Sequence, residues 1–191
     1  CLFGPGLTEN IEKSIIRNTD NANCEEYIKI FDAGAFSSYN DISDYPDRCI
    51  LTPHWGEACH IFNIHEYGAN LSSIQKIKDD IGDRIVILKL SNIFIINKNY
   101  IYIIDNGPSL LSTAGTGDVL SGIIASLMSQ GYTPKNSCIL GTYLHGESAK
   151  YYMNNISTSG MTASDLIECI PFAFNKLRKI KEVVEDRWRW I

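Results

Sequence analysis

The chain has 191 residues, 45% of them hydrophobic and 20% charged, a balance that suits one globular domain with its own core and excludes a disordered or fibrous protein. Seventeen Lys+Arg against 22 Asp+Glu give a net charge of −5, and without a basic cluster no nucleic-acid partner is expected. No apolar run approaches the ~18 residues of a membrane span, and six cysteines without a C-x-x-C read as reduced thiols of a cytoplasmic protein, not as a disulfide framework or a zinc site.

Cys1-Leu2-Phe3 reads as a sequence starting in mid-strand, so a portion of the domain is expected upstream. Gly4-Pro5-Gly6 then marks a turn directly after the strand end. A helix is expected over Glu9–Arg17, and strands over Tyr27–Phe31, stopping at Asp32, and Cys49–Leu51, stopped by Thr52-Pro53-His54. A helix over Ala69–Asp80 leads to Ile85–Leu88, which ends at Lys89. Such unbroken Val/Ile/Leu runs point to strands buried on both faces, as in a parallel sheet. Ile93–Ile96 and Tyr100–Ile104, separated by Asn97-Lys98-Asn99, read as a hairpin at one edge.

The last third is helical. Val119, Leu120, Ile123, Ile124, Leu127 and Met128 recur at helical spacing, and Gly131 closes that helix. Thr133-Pro134 supplies an N-cap and first-turn proline for the next, which carries His145. Thr162 to Asp165 resembles a capping box and opens a helix towards Lys179, with Pro171 expected to kink it or end it early. The fold class is therefore α/β, with a largely parallel central sheet and helices on both faces. In such sheets ligands sit beyond the carboxyl ends of the strands. Gly4-Pro5-Gly6, Asp32, His54 with Glu57, Lys89 and the Gly-rich loop before Asp118 are the polar groups expected there.

Ser112-Thr113-Ala114-Gly115-Thr116-Gly117-Asp118 runs straight into the apolar helix beginning at Val119. Free N–H groups and the helix dipole make such an end an anion site, and Asp118 stands in its first turn. A carboxylate there could take a hydroxyl proton while the amides hold a transferring phosphoryl group, or it could simply cap the helix. No G-K-[ST] follows, so this is not a Walker loop.

Ala114-Gly115-Thr116-Gly117-Asp118-Val119-Leu120-Ser121-Gly122-Ile123-Ile124-Ala125 resembles the G-G-S-G-D-V-L-T-G-I-I-A signature of the ADP- or ATP-dependent NAD(P)H-hydrate dehydratases, members of the ribokinase-like superfamily. Thr52-Pro53-His54-Trp55-Gly56-Glu57 is similar to their T-P-H-P-G-E, with Trp55 in place of Pro. Gly4-Pro5-Gly6-Leu7 matches G-P-G-L, Asp32-Ala33-Gly34-Ala35-Phe36 is similar to D-A-D-A-L, and Thr162-Ala163-Ser164-Asp165-Leu166-Ile167 matches the closing T-A-S-D-L-I. Leu88-Lys89 matches the start of L-K-G-x-x-T, but Leu90-Ser91-Asn92-Ile93 replaces the rest. Asn106-Gly107-Pro108 reverses the Gly and Pro of the family's N-P-G.

The resemblance implies one ribokinase-like domain over residues 1–191, without the family's N-terminal portion. It implies dehydration of hydrated NADH or NADPH by phosphorylation of the ring hydroxyl and elimination of phosphate, with ADP or ATP as donor and Mg²⁺ present. By the same resemblance Asp118 is the catalytic base. Lys89, Ser91, Gly115, Thr116 and Gly117 bind nucleotide, and Gly4, Gly6, His54 and Asp118 contact the hydrated dinucleotide. A homo-oligomer is expected. The Gly-rich loop alone also suits a small-molecule kinase of the superfamily, and the altered segment after Lys89 leaves room for a non-catalytic nucleotide-binding relative. More modest roles are weighed beside these: a turn for His54, a helix cap for Glu57, a cap or a site-orienting role for Asp32. His60, His65 and His145 read as structural or exposed, and Arg187-Trp188-Arg189-Trp190 as a packed tail or an oligomer contact.

Overall fold

Short runs of branched apolar residues build the sheet, because Val and Ile fill both sides of a pleated strand without a polar atom to satisfy. The computed structural model describes residues 1–6 and 27–188, the last nine as helix backbone. The expected helix over Glu9–Arg17, together with Leu7, Cys24 and the Arg189-Trp190 end of the tail, lies outside what is described, whereas Arg187 and Trp188 belong to the helix backbone.

Among the described residues six strands form one sheet in chain order: β1 (Leu2–Phe3), β2 (Lys29–Phe31), β3 (Cys49–Leu51), β4 (Ile85–Lys89), β5 (Ile93–Asn97) and β6 (Tyr100–Ile104). β1 to β4 run parallel, with Ile30 opposite both Leu2 and Ile50, and Leu51 opposite Val86. β4, β5 and β6 are antiparallel, so the expected hairpin caps one edge.

Successive residues point to opposite faces, and each face has its own core. Phe31, Leu51, Val86, Leu88 and Ile96 face α1 (Trp55–Ile61), α2 (Leu71–Asp80) and the 3-10 turns at Ala33–Ser38 and Ile42–Asp44. Ile30, Ile50, Ile85, Ile87 and Ile95 face Leu120 and Ile124 of α3 (Thr116–Ser129) and Cys138 of α4 (Pro134–Asn155). Parallel strands laid down in chain order, joined by right-handed crossovers, must carry their connections on one face. The segments between β2 and β4 accordingly cover the first face, and the C-terminal helices cover the other. α3 is buried twice over, since Val119, Ile123 and Leu127 pack against α4 and against Leu166 and Cys169 of α5 (Ala163–Trp188).

Two boundaries differ from the sequence reading. Helix α5 passes through Pro171 and continues to Trp188, so the proline does not end it. α3 begins at Thr116, three residues before the first apolar position, because Gly115 takes up the left-handed conformation (φ 85°) that lets the helix start inside the Gly-rich loop. The expected caps are present: Thr133 accepts from the Asn136 amide, Thr162 and Asp165 cap each other, and Gly131 follows α3 with φ 90°.

Candidate functional site

The carboxyl edge of the sheet gathers the polar residues that end its strands. The Asp32 amide bonds the Phe3 carbonyl as β2 ends beside β1. Gly4, the next residue, has φ 123°, and a Cβ there would lie 1.6 Å from the Asp32 carbonyl oxygen, so only glycine lets the two backbones approach. On the far side, the Lys89 amide bonds the Pro53 carbonyl, bringing His54 alongside the end of β4.

Asp32 is almost fully buried. Its Oδ1 accepts from the Ala33 amide at 3.0 Å, capping the 3-10 turn, and from Lys89 Nζ at 3.0 Å. The cap weighed from the sequence is thus observed, and the same oxygen holds the Lys89 ammonium. Oδ2 is buried with no hydrogen-bond partner among the described residues. Lys89 is about a quarter exposed, and its ammonium reaches from Asp32 to the start of α3, where a Cβ on Gly117 would be 3.2 Å from Nζ.

His54 and Glu57 cap α1 reciprocally. The Glu57 amide donates to His54 Nδ1 at 3.1 Å, and the His54 amide to Glu57 Oε2 at 2.8 Å. The modest reading of Glu57 as a cap is thus what is found. Partial burial pushes its carboxyl above the usual range, opposed by its bond to the His54 amide and by the His54 and Lys89 charges, while Asp32 raises it further. The His54 imidazole is 61% exposed.

The loop before α3 is pinned from several sides. The Thr116 hydroxyl lies 2.7 Å from both the Leu111 and Thr113 carbonyls, so its one proton staples the loop to itself. The Thr116 amide bonds the Thr113 carbonyl. Gly117 and Asp118 supply the next two amides of a first turn that a helix cannot satisfy internally. Thr116 and Gly117 line a cavity of about 340 Å³ together with Lys89, Ser91, Ser109 and His145. Gly115 and Asp118 instead border a mainly apolar groove of about 560 Å³ between α3 and α5, beside Gly122, Ile167 and Phe174. The Asp118 side is exposed. Gly4, Gly6 and His54 share the carboxyl edge but line neither of these two cavities.

Two residues at the site escape sequence reading. His145, read from the sequence as structural or exposed, is buried, and its Nε2 lies 2.8 Å from the Thr116 carbonyl. Burial pushes the imidazole down to about 4, the bond to Thr116 works against that shift, and the Lys89 charge adds to it. Asn106 donates to the Tyr143 carbonyl and packs so closely on Gly146 that a Cβ there would overlap it, tying the Asn106-Gly107-Pro108 segment to α4. Neither contact has a local spacing to betray it, since 29 residues separate His145 from Thr116 and 37 separate Asn106 from Tyr143.

A family model described as NAD(P)H-hydrate dehydratase matches residues 1–172. The bifunctional NAD(P)H-hydrate repair enzyme Nnr of Dictyoglomus turgidum is 33% identical over 94% of this chain, which spans 35% of that protein. The ADP-dependent (S)-NAD(P)H-hydrate dehydratase of Neisseria meningitidis serogroup B is 27% identical over 91% of the chain, which spans 57% of that protein. The fold is also that of the ADP/ATP-dependent NAD(P)H-hydrate dehydratase of Bacillus subtilis co-crystallized with ATP/Mg²⁺ and soaked with CoA. That structure gives a TM-score of 0.73 at 24% identity, covering 92% of this chain and 65% of the other. The chain thus spans about a third of the bifunctional relative and about two thirds of the solved one.

Proposed function

This chain belongs to the NAD(P)H-hydrate dehydratase family, and on that footing we propose that it uses ADP or ATP to return hydrated NADH or NADPH to the reduced dinucleotide. The observation that carries the reading is the loop standing between two recesses: Thr116 and Gly117 face the Lys89 cavity, and Gly115 and Asp118 border the groove. A phosphoryl donor held on the Lys89 side would direct its terminal phosphate at the amides of the first turn, where the helix dipole and the ammonium both favour negative charge. Leu90 and Ile93 line that cavity in place of the family's glycine and threonine, with Ser91 beside them.

Asp118 takes the proton of the nicotinamide-ring hydroxyl as that oxygen bonds to the terminal phosphorus. The phosphoanhydride bond breaks in the same step, leaving AMP from ADP or ADP from ATP. Phosphate is a far better leaving group than hydroxide, so the C–O pair then departs with inorganic phosphate. Loss of the neighbouring ring proton restores the double bond. Among the described residues no group of three or more His, Cys, Asp or Glu could hold a metal ion. Mg²⁺ fits here as a companion of the nucleotide phosphates, which is its common mode of binding.

Gly4, Gly6 and His54, along the same edge, are proposed to meet the dinucleotide outside the two recesses. Free Cys49, Cys138 and Cys169, all buried, suit a reducing compartment such as the cytoplasm. Among the described residues no helix is long and apolar enough to cross a membrane. Assembly into a homo-oligomer is proposed from the family alone.

The test is the near-ultraviolet absorbance of reduced nicotinamide on mixing the protein, hydrated NADPH, Mg²⁺ and either ADP or ATP. Growth of the band only with nucleotide supports the dehydratase and names its donor. A stable phosphoester without growth of the band would identify a kinase instead. Asp118→Asn should abolish turnover while nucleotide affinity stays within about twofold, because the variant keeps the loop and removes only the base; turnover at the wild-type rate refutes the assignment.

A further inference from the structure

Thr116 is flanked by Gly115 and Gly117, the two residues of the loop with the greatest backbone freedom. The peptide between Thr116 and Gly117 opens α3, and at a helix end, where backbone bonds are fewest, an anchor from outside the helix narrows the direction its N–H can hold. That peptide is planar and trans, so its carbonyl and its N–H point opposite ways, and anchoring the first aims the second. The Thr116 carbonyl is anchored from α4, by His145 Nε2 at 2.8 Å.

A carbonyl can only accept, so Nε2 carries the proton. His145 Nδ1 is fully buried and has no partner among the described residues. A second proton there would be a buried donor without an acceptor, set beside the Lys89 ammonium. The imidazole is therefore held as one neutral tautomer whose single donor meets a single carbonyl. Donation into that carbonyl also polarises the peptide and strengthens its N–H as a donor on the other side.

We propose that His145 is a positioning residue that orients the Gly117 N–H towards the transferring phosphoryl group by holding the Thr116 carbonyl. The proposal rests on the reading of the Gly115–Asp118 loop as a phosphate loop, and it adds to it a residue at the wall of the same cavity that acts through the Thr116 carbonyl. It also accounts for a buried histidine that the proton transfer assigned to Asp118 does not use.

The experiment measures ADP and ATP affinity in the presence of Mg²⁺ by calorimetry, with the melting temperature of each protein, for wild type, His145→Leu, His145→Gln and His145→Asn. The Gln amide nitrogen can reach the place of Nε2, whereas the shorter Asn cannot. His145→Leu and His145→Asn should weaken nucleotide binding by roughly tenfold, the loss of one well-placed donor, and His145→Gln should recover most of it. The Gln-against-Asn comparison stands even where the Leu variant fails to fold. Equal affinity of wild type and the Leu or Asn variant overturns the proposal. So does a loss in all three variants that follows their melting temperatures, since that is the behaviour of a merely structural side chain. A wild-type protein that binds neither nucleotide overturns the loop reading itself, and the proposal with it.

Discussion

Lys89 has two neighbours with opposite consequences. Asp32 holds its ammonium from below at 3.0 Å, and the start of α3 leaves it facing a cavity rather than bulk water. A buried carboxylate with one unpartnered oxygen is tolerable only because that cation stands beside it. Removing the cation should therefore act twice. Lys89→Ala is expected to weaken ADP and ATP binding by about tenfold or more, from the loss of a charge-assisted contact, and to lower the melting temperature by stranding Asp32. A nucleotide titration alongside thermal unfolding checks both, and an unaltered titration would refute the proposed role. Lys89 was legible in the sequence because a lysine closing an apolar strand has no solvation reason to be there. The ion pair with Asp32 was not, since 57 residues separate the partners.

Among the elements, those with a local chemical signal were readable and those fixed by tertiary contact were not. Thr133-Pro134 announces a helix start, and α4 begins there, with the Thr133 hydroxyl accepting from Asn136. Thr133→Ala should cost about 1 kcal/mol, visible as a fall of roughly 2–4 °C in melting temperature with nucleotide affinity unchanged. The hairpin of β5 and β6 was readable from its turn residues, and the capping of α5 from Thr162 and Asp165. Of the two effects expected of Pro171, an early end does not occur because it was outweighed: Leu166, Cys169 and Ala173 on either side of it are buried against α3 and α4, so packing holds α5 in one piece across the missing N–H. The Thr116 start of α3 was likewise hidden, since its first turn carries no apolar residue and is set by Gly115 and the hydroxyl staple.

At the scale of the molecule, acid should act in part through a single buried ring. The folded protein holds His145 near 4 against an ordinary value of 6.5, so between these the unfolded chain binds more protons and stability rises with pH. The stabilisation is complete above about 6.5 and is lost as pH falls towards about 4, on the order of 3 kcal/mol in all. Glu57 acts with the opposite sign, since its raised carboxyl favours the fold most at low pH and less as pH rises through its folded value. Thermal melts across that range should show a steep acid limb in the wild type and a shallower one in His145→Gln; identical limbs would contradict it. The order of the strands also has a meaning in time. All six are synthesised by Ile104, and one face has its cover in place by then, but Ile30, Ile50, Ile85, Ile87 and Ile95 wait for Leu120, Ile124 and Cys138. At roughly 5–20 residues per second, the emerging chain carries a ribbon of bare isoleucine for some seconds. A nascent chain built this way keeps its second face open longest, and the arrival of α3 is what ends that exposure.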